Sequence, residues 1–468
     1  KIGFLGLIGN EAVSVAHNTG ELNFSSPVET AREVTAELKN RGADIIIAIS
    51  HSGLEEDKIL AGEVEDLDIV IGGHSHHALE DAVIVDDTTI VQAGYRLEYM
   101  GVLELSFDPE NRELQILNEQ NKQPYLIKID DRIEGDKEIN DLVSEYTGSL
   151  NQYLDEISFG KYNNLFEPVF SLDFSVPDTP PLTETPLGNL LTDAMRMGVE
   201  DITGKKVDFA FQANGLLRSG IKPAVSGKDK GRASYYQLAA ASGLGIGPDG
   251  RPGYPLVELY LTGEEVKNVL EISVLLSDIF SNSYFLQNSG LRYSYDRRRA
   301  ILFNIPVLNK PLPTGRAVLN AERYTGKGIQ TDNDDDYRPL PGENDRLYRV
   351  VTDFYLMQFL PQVGEVVPSL QLKLKREDGS LLENQEEAII RHNGREVKVW
   401  EALFHYADMQ NGRLNSVYKG RQGRIVEVEK FSPLVYPLAT ILVLLVLIIA
   451  VIYLFLQKRK SKKGNLDV

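Results

Sequence analysis

The spacing of apolar and polar residues changes period several times along this chain, and each change predicts an element. Residues 1–7 (Lys-Ile-Gly-Phe-Leu-Gly-Leu) read as a strand already in full course. Ser26-Pro27 supplies a capping hydroxyl and a first-turn proline, so a helix is predicted over 28–41, closed by Gly42. Residues 44–50 (Asp-Ile-Ile-Ile-Ala-Ile-Ser) form a continuous apolar run, the mark of a strand buried on both faces, and residues 68–73 repeat it. Shorter strands are predicted at 83–85, 89–92 and 102–107, separated by polar turns. Leu142, Tyr146, Leu150, Tyr153 and Ile157 keep helical spacing, so one amphipathic helix within a 131–162 linker is expected to join two domains. The second domain, mixed α/β, is expected over 163–429. Alternating helices and strands make the fold class α/β.

Residues 434–456 break this pattern with a run that lacks charge and is long enough to cross a hydrocarbon core of roughly 30 Å as a helix. Lys458-Arg459-Lys460-Ser461-Lys462-Lys463 follows at once. The basic excess predicts a single-pass protein of the cytoplasmic membrane, with 457–468 as a cytoplasmic tail and everything before the span outside, periplasmic or extracellular. Because residue 1 lies in mid-strand with neither start methionine nor signal peptide, the expectation is an amino-terminal truncation and an export signal upstream.

Charge and cysteine content narrow the chemistry. The chain has 49 basic and 68 acidic residues, a net charge of −19, which repels a polyanion and argues against nucleic acid as a partner. A phosphate-bearing substrate must then meet a local positive centre. With no cysteine, disulfides, thiolate metal sites and cysteine nucleophiles are excluded.

Four of the seven histidines, His51, His74, His76 and His77, lie within 27 residues, each just after a predicted buried strand. Two such strand ends open on one sheet edge, where α/β folds place ligands. Imidazole is the commonest side-chain ligand of transition metals, and Gly72-Gly73 permits the sharp turn that aims a following ring. His51, His74 and His76 are the candidate metal ligands, and His77 is read as surface. Asp332, Asp334, Asp336 and Glu343 fall at calcium-loop spacing, but Tyr337 replaces the required glycine, so a solvated acidic loop is predicted.

The run Gly42 to Gly53, with Ile-Ser-His-Ser-Gly at its end, and Asp68-Ile-Val-Ile-Gly-Gly-His-Ser-His resemble the last two metal motifs of the calcineurin-like metallophosphoesterases, best in their 5′-nucleotidase and UDP-sugar hydrolase branch. The resemblance implies the carboxyl-terminal part of a layered α/β/β/α metallophosphoesterase domain over 1–130, the linker helix, and a 5′-nucleotidase carboxyl-terminal substrate domain over 163–429. It further implies two divalent ions, zinc, manganese or similar, with His51 and His74 on one and His76 facing the other. The family's remaining ligands and its catalytic histidine belong to motifs absent from these residues. No catalytic residue is therefore assigned, and the chain as given is expected to be inactive.

Thr185-Pro-Leu-Gly-Asn-Leu-Leu-Thr-Asp-Ala-Met, Leu261-Thr-Gly-Glu-Glu-Val and Phe285-Leu-Gln-Asn-Ser-Gly-Leu-Arg-Tyr resemble, in order, landmarks of the substrate domain, which in relatives holds base and sugar. Arg218 matches the family's substrate arginine, with Asn214 one position from the family's asparagine, and both are candidate substrate residues. Thr183 stands where many relatives have another arginine. The base-stacking aromatics are missing from 242–247 and 360–364, leaving Tyr355 and Phe359 as possible substitutes.

The expected function is hydrolysis of extracytoplasmic nucleotide monoesters. The altered base pocket keeps open a nucleotide-sugar or cyclic-nucleotide phosphodiesterase, and a membrane-tethered, non-catalytic nucleotide-binding module is the third reading.

Overall fold

This structure, a computed structural model, describes residues 1–428 apart from 15–18, 131, 159, 225–228, 280–281, 306–309, 341–345, 368–369 and 371. The chain divides into two compact units, Lys1–Asn163 and a second beginning at Asn164.

The first unit is built on a five-stranded sheet. Strands Ile2–Ile8, Ile45–His51, Ile69–Ile71 and Thr88–Val91 run parallel in that spatial order, and Val83–Val85 closes one edge antiparallel. The helix that precedes the second strand spans Pro27–Asn40, its first turn capped by the Ser26 hydroxyl through Glu29 N. Ile46, Ala48, Val70 and Ile90 are fully buried with Leu60 and Ala61 of the Leu54–Glu63 helix. Each of the isoleucine, valine and leucine side chains among them contributes about 1.5–3 kcal/mol by leaving water. The opposite face is only partly covered. Ile45, Ile47 and Ile69 pack under Leu103, Leu105 and Phe107, but Ile2, Phe4, Ile49 and Ile71 lie open. The 44–50 strand is therefore buried on both faces only in its first half, against the expectation from its apolar run.

The single strand expected at 102–107 is two, Tyr99–Gly101 and Leu105–Asp108, which pair with Leu126–Lys128 and Glu113–Ile116. The buried Asn118 divides them, its amide accepting from Glu104 N and donating to Val102 O where a ladder would otherwise run. The predicted amphipathic helix spans Lys137–Ile157, capped by Asp136. It falls in the first unit, and of its apolar stripe Ile157 is buried while Leu142, Tyr146 and Leu150 stay exposed.

The second unit carries two four-stranded sheets. One runs Leu256–Thr262, Leu347–Asp353, Phe209–Ala213, Leu286–Ser289; the other runs Tyr337–Pro339, Val318–Tyr324, Leu291–Tyr295, Ile425–Glu427. Helix Pro186–Thr203, started by the Thr185 hydroxyl on Gly188 N and stopped at Gly204, is buried along nearly its whole length. Its Asp193 meets Arg424 in a bidentate pair (2.7 and 2.9 Å) with both side chains inaccessible to solvent. The buried Glu184 carboxylate accepts from Gln422 N and Arg424 N, so residues 422–427 are locked into the domain.

Among the described residues no helix is long and apolar enough to cross a membrane. The 434–456 run lies outside the described residues, as does Glu343 of the acidic loop. Within that loop Asp334 pairs with Arg292 at 2.6 Å, and Asp336 accepts from Asn333.

Candidate metal centre and substrate residues

Parallel pairing of Ile45–His51 with Ile69–Ile71, in register at Ile49 and Ile71, brings His51 and the turn after Ile71 to the same carboxyl edge. There the His51 and His74 ring centres are 5.0 Å apart, the planes inclined at 65°. The turn is tight. A Cβ on Gly73 would stand 3.1 Å from Ser50 O and 3.3 Å from His51 Nδ1, so a side chain here would push the two segments apart by a few tenths of an ångström. His74 and His76 both adopt left-handed backbone conformations (φ 68° and 58°), which cost about 1–2 kcal/mol each and aim the two rings out of the turn.

Between them Ser75 pins the turn, its hydroxyl accepting from Leu54 N (3.1 Å) and lying 3.1 Å from Gln92 Oε1. Asp57, fully buried on the helix after His51, sits 2.5 Å from Ser50 Oγ. Its other oxygen has no hydrogen-bond partner among the described residues and faces Gly72, where a Cβ would come within 2.5 Å. Burial pushes its carboxyl above the usual range, against the Ser50 hydrogen bond.

The spacing of the His51 and His74 rings is compatible with one shared divalent ion. Two imidazoles bound to one ion at about 2.0–2.1 Å place their ring centres roughly 4.5–5 Å apart, the observed separation. His76 is elsewhere, stacked on Tyr95 at 4.7 Å and 7°, with the Arg96 guanidinium 5.5 Å from the Tyr95 ring centre. Among the described residues no group of three or more histidine, aspartate or glutamate side chains gathers in metal-binding geometry. A carboxylate beside His74 is that of Glu11, with Oε2 3.9 Å from Nε2, on the short Asn10–Ser14 helix whose first amides donate to Glu56. Glu11 was not legible in the sequence, since nothing in residue spacing pairs that helix with the Gly-His-Ser-His turn. His77 is exposed and bonds Ser75, as a surface residue.

In the second unit Arg218 and Asn214 lie just after the Phe209–Ala213 strand. Arg218 is exposed, and its backbone amide donates to Ala241 O. Asn214 is buried with its amide engaged on both sides, donating to Asn282 (2.9 Å) and accepting from Gln287 (2.9 Å). Gln287 also donates to Thr183 O, so these polar groups hold the loop that presents Arg218.

Tyr355 and Phe359 belong to an aromatic cluster that sequence spacing did not reveal. Tyr254 stacks on Tyr355 (5.4 Å, 29°), and Tyr284 meets Phe359 at a tilt (5.3 Å, 44°). Tyr254 crosses Gly245, where a Cβ would collide with its ring, placing an aromatic over the 242–247 turn that lacks one of its own. Two rings gripping a base between them stand roughly 7 Å apart, so the Tyr254–Tyr355 stack is closed.

The comparisons agree with this architecture. Residues 171–359 match the family model described as 5′-nucleotidase, C-terminal domain. The trifunctional nucleotide phosphoesterase protein YfkN of Bacillus subtilis is 25% identical over 345 residues, 72% of this chain and 21% of its own length. The 5′-nucleotidase of Mus musculus is 25% identical over 326 residues, covering 64% of this chain and 51% of its own. The apyrase of Aedes aegypti reaches 33% over 167 residues, 31% of this chain and 28% of its own. The chain thus spans from about a fifth to about half the length of the curated relatives it matches. Among solved structures, a 5′-nucleotidase precursor from Thermus thermophilus superposes with a TM-score of 0.63 at 21% identity, over 92% of this chain and 73% of that one, a likeness of fold. The chain therefore carries a 5′-nucleotidase C-terminal domain at residues 171–359 and is a relative of the 5′-nucleotidases.

Proposed function

We propose that this protein hydrolyses phosphate esters of nucleotides outside the cytoplasmic membrane, with His51 and His74 holding one divalent ion and His76 facing a second. The observation that carries this reading is the His51–His74 pair at the carboxyl edge of a parallel sheet, in a chain that also carries a 5′-nucleotidase C-terminal domain. When bound, the ions supply polarisation of the phosphoryl group and activation of water. The residues of this chain orient the ligands. Gly72-Gly73 and Ser75 fix the turn, and Ser50 and Asp57 brace the strand end behind His51. In the second unit Arg218 offers a guanidinium able to grip a phosphate or carboxylate through two hydrogen bonds. Asn214 serves it by holding its loop.

Three histidines are fewer than two ions require, so the remaining ligands are proposed to come from outside these residues, and the chain as given is expected to be inactive by itself. The apolar run 434–456 is proposed to anchor the protein as a single-pass membrane span, tail in the cytoplasm.

The closed Tyr254–Tyr355 stack favours a second reading, in which the substrate is a nucleotide sugar or cyclic nucleotide whose base is not sandwiched. Turnover of AMP, UDP-glucose and a 2′,3′-cyclic nucleotide, by protein expressed from its complete coding region with manganese, zinc or magnesium, separates the readings. Preference for AMP supports the first and preference for either diester the second. Nucleotide binding with no turnover of any of the three would leave a non-catalytic binding module and overturn both.

A further inference from the structure

The first unit carries most of the protein's negative charge, while the second is nearly balanced, with 32 basic and 35 acidic residues over 164–456, and arginines gather where its chain leaves the described residues. Setting aside the five tail cations and Asp467, the rest of the protein carries 44 basic and 67 acidic residues, −23. The last strand, Ile425–Glu427, runs parallel to Leu291–Tyr295 with Glu427 beside Tyr295, and Val428 N donates to Tyr295 O at 2.7 Å. Immediately after Tyr295 the chain forms a single turn, Arg297–Arg299, started by the Asp296 side chain. Arg297 Nε lies 3.4 Å from Glu427, and Arg298, 44% exposed, pairs with Asp296 at 3.1 Å. Thr314 bonds Arg299 O, and the exposed Arg316 donates its backbone amide to the Thr314 hydroxyl, which sets residue 316 beside the same turn. Among the described residues the acids facing this corner are Asp296, Glu271 and Glu427. The first two are buried, and Glu271 is spent on the amides of Ala317 and Val318. The hairpin of Ile301–Ile305 and Lys310–Pro313 springs from the same turn and exposes Leu302 and Leu312.

Only residues 429–433 separate Val428 from the apolar run at 434, a reach of at most about 20 Å. Because Val428 is hydrogen-bonded into the sheet, that leash starts from a fixed point on the domain surface.

We propose that Arg297, Arg298, Arg299 and Arg316 form a membrane-facing surface that binds anionic lipid headgroups, with Leu302 and Leu312 entering the interfacial layer beside them. The proposal rests on the reading of 434–456 as a membrane span. An anionic headgroup layer is the partner that charge complementarity and the short leash favour, since anionic lipid attracts membrane-adjacent arginines. The surface would hold the second unit in a set orientation on the bilayer instead of leaving it to swivel on its anchor.

The chain has no cysteine, so Leu312→Cys gives a unique site for a spin label. The full chain is reconstituted in nanodiscs of phosphatidylcholine with or without phosphatidylglycerol, and the label's accessibility to an aqueous nickel chelate is read. Phosphatidylglycerol is expected to lower accessibility roughly fivefold or more. R297Q/R298Q/R299Q/R316Q should abolish that difference, and lysine at the same four positions should keep it. Equal accessibility in both lipids, or protection that survives the glutamine variant, overturns the proposal while leaving the anchor standing. Failure of the chain to enter the discs at all overturns the anchor and the proposal together.

Discussion

The imidazoles of His51, at the end of one strand, and His74, in the turn that follows the adjacent parallel strand, stand 5.0 Å apart between ring centres. That separation suits two ligands of one divalent ion. Replacing either histidine with glutamine should weaken binding of manganese or zinc at least roughly tenfold, measured by calorimetric titration. His77→Gln, at an exposed position whose ring bonds Ser75, should leave it unchanged.

Gly73→Ala tests whether the turn sets the spacing of that pair. The added methyl would meet Ser50 O at 3.1 Å and His51 Nδ1 at 3.3 Å, tight enough to displace the ring without breaking the sheet. Metal affinity should fall severalfold while the thermal midpoint moves by only a few degrees, on the order of 1 kcal/mol.

The Asp193–Arg424 pair predicts a stability effect remote from any metal. Burial alone would raise the Asp193 carboxyl, but Arg424 more than offsets it and holds the group below the usual carboxylate range. Arg424→Met leaves a buried carboxylate without its partner and should cost about 3–5 kcal/mol in denaturant unfolding. The double variant Asp193→Leu, Arg424→Met should recover a large part of that loss, because it removes the orphaned charge as well.

Asp353 predicts a pH dependence. Burial pushes its carboxyl up to about 6, against the hydrogen bond it accepts from Leu356 N. A raised folded-state value means that its stabilising contribution is present below the ordinary carboxylate value and is lost as pH rises through about 6. The loss is on the order of 2–3 kcal/mol. Asp353→Asn keeps the helix cap without the titration. Thermal midpoints of the two proteins, compared from acid to neutral pH, should shift in favour of the variant as pH rises.

Much of the site was legible because it is local. The apolar runs before His51 and His74, the Gly-Gly turn and the Ser26-Pro27 cap all express themselves within a few residues, and the structure places each as a strand end, a turn and a helix start. Pairings set by topology were not legible. Glu11 reaches His74, Tyr254 covers Gly245, and Asp193 meets Arg424 from 231 positions away, none with a sequence pattern to announce it. The division of 102–107 was also hidden, since it depends on a side-chain amide from residue 118 competing with the strand ladder.

The most direct test of the account is release of inorganic phosphate from AMP by protein expressed from its complete coding region, assayed with and without added manganese or zinc, beside His74→Asn. The account predicts metal-dependent release that the variant reduces roughly a hundredfold or more. Phosphate release that ignores both the metal and the substitution would contradict it.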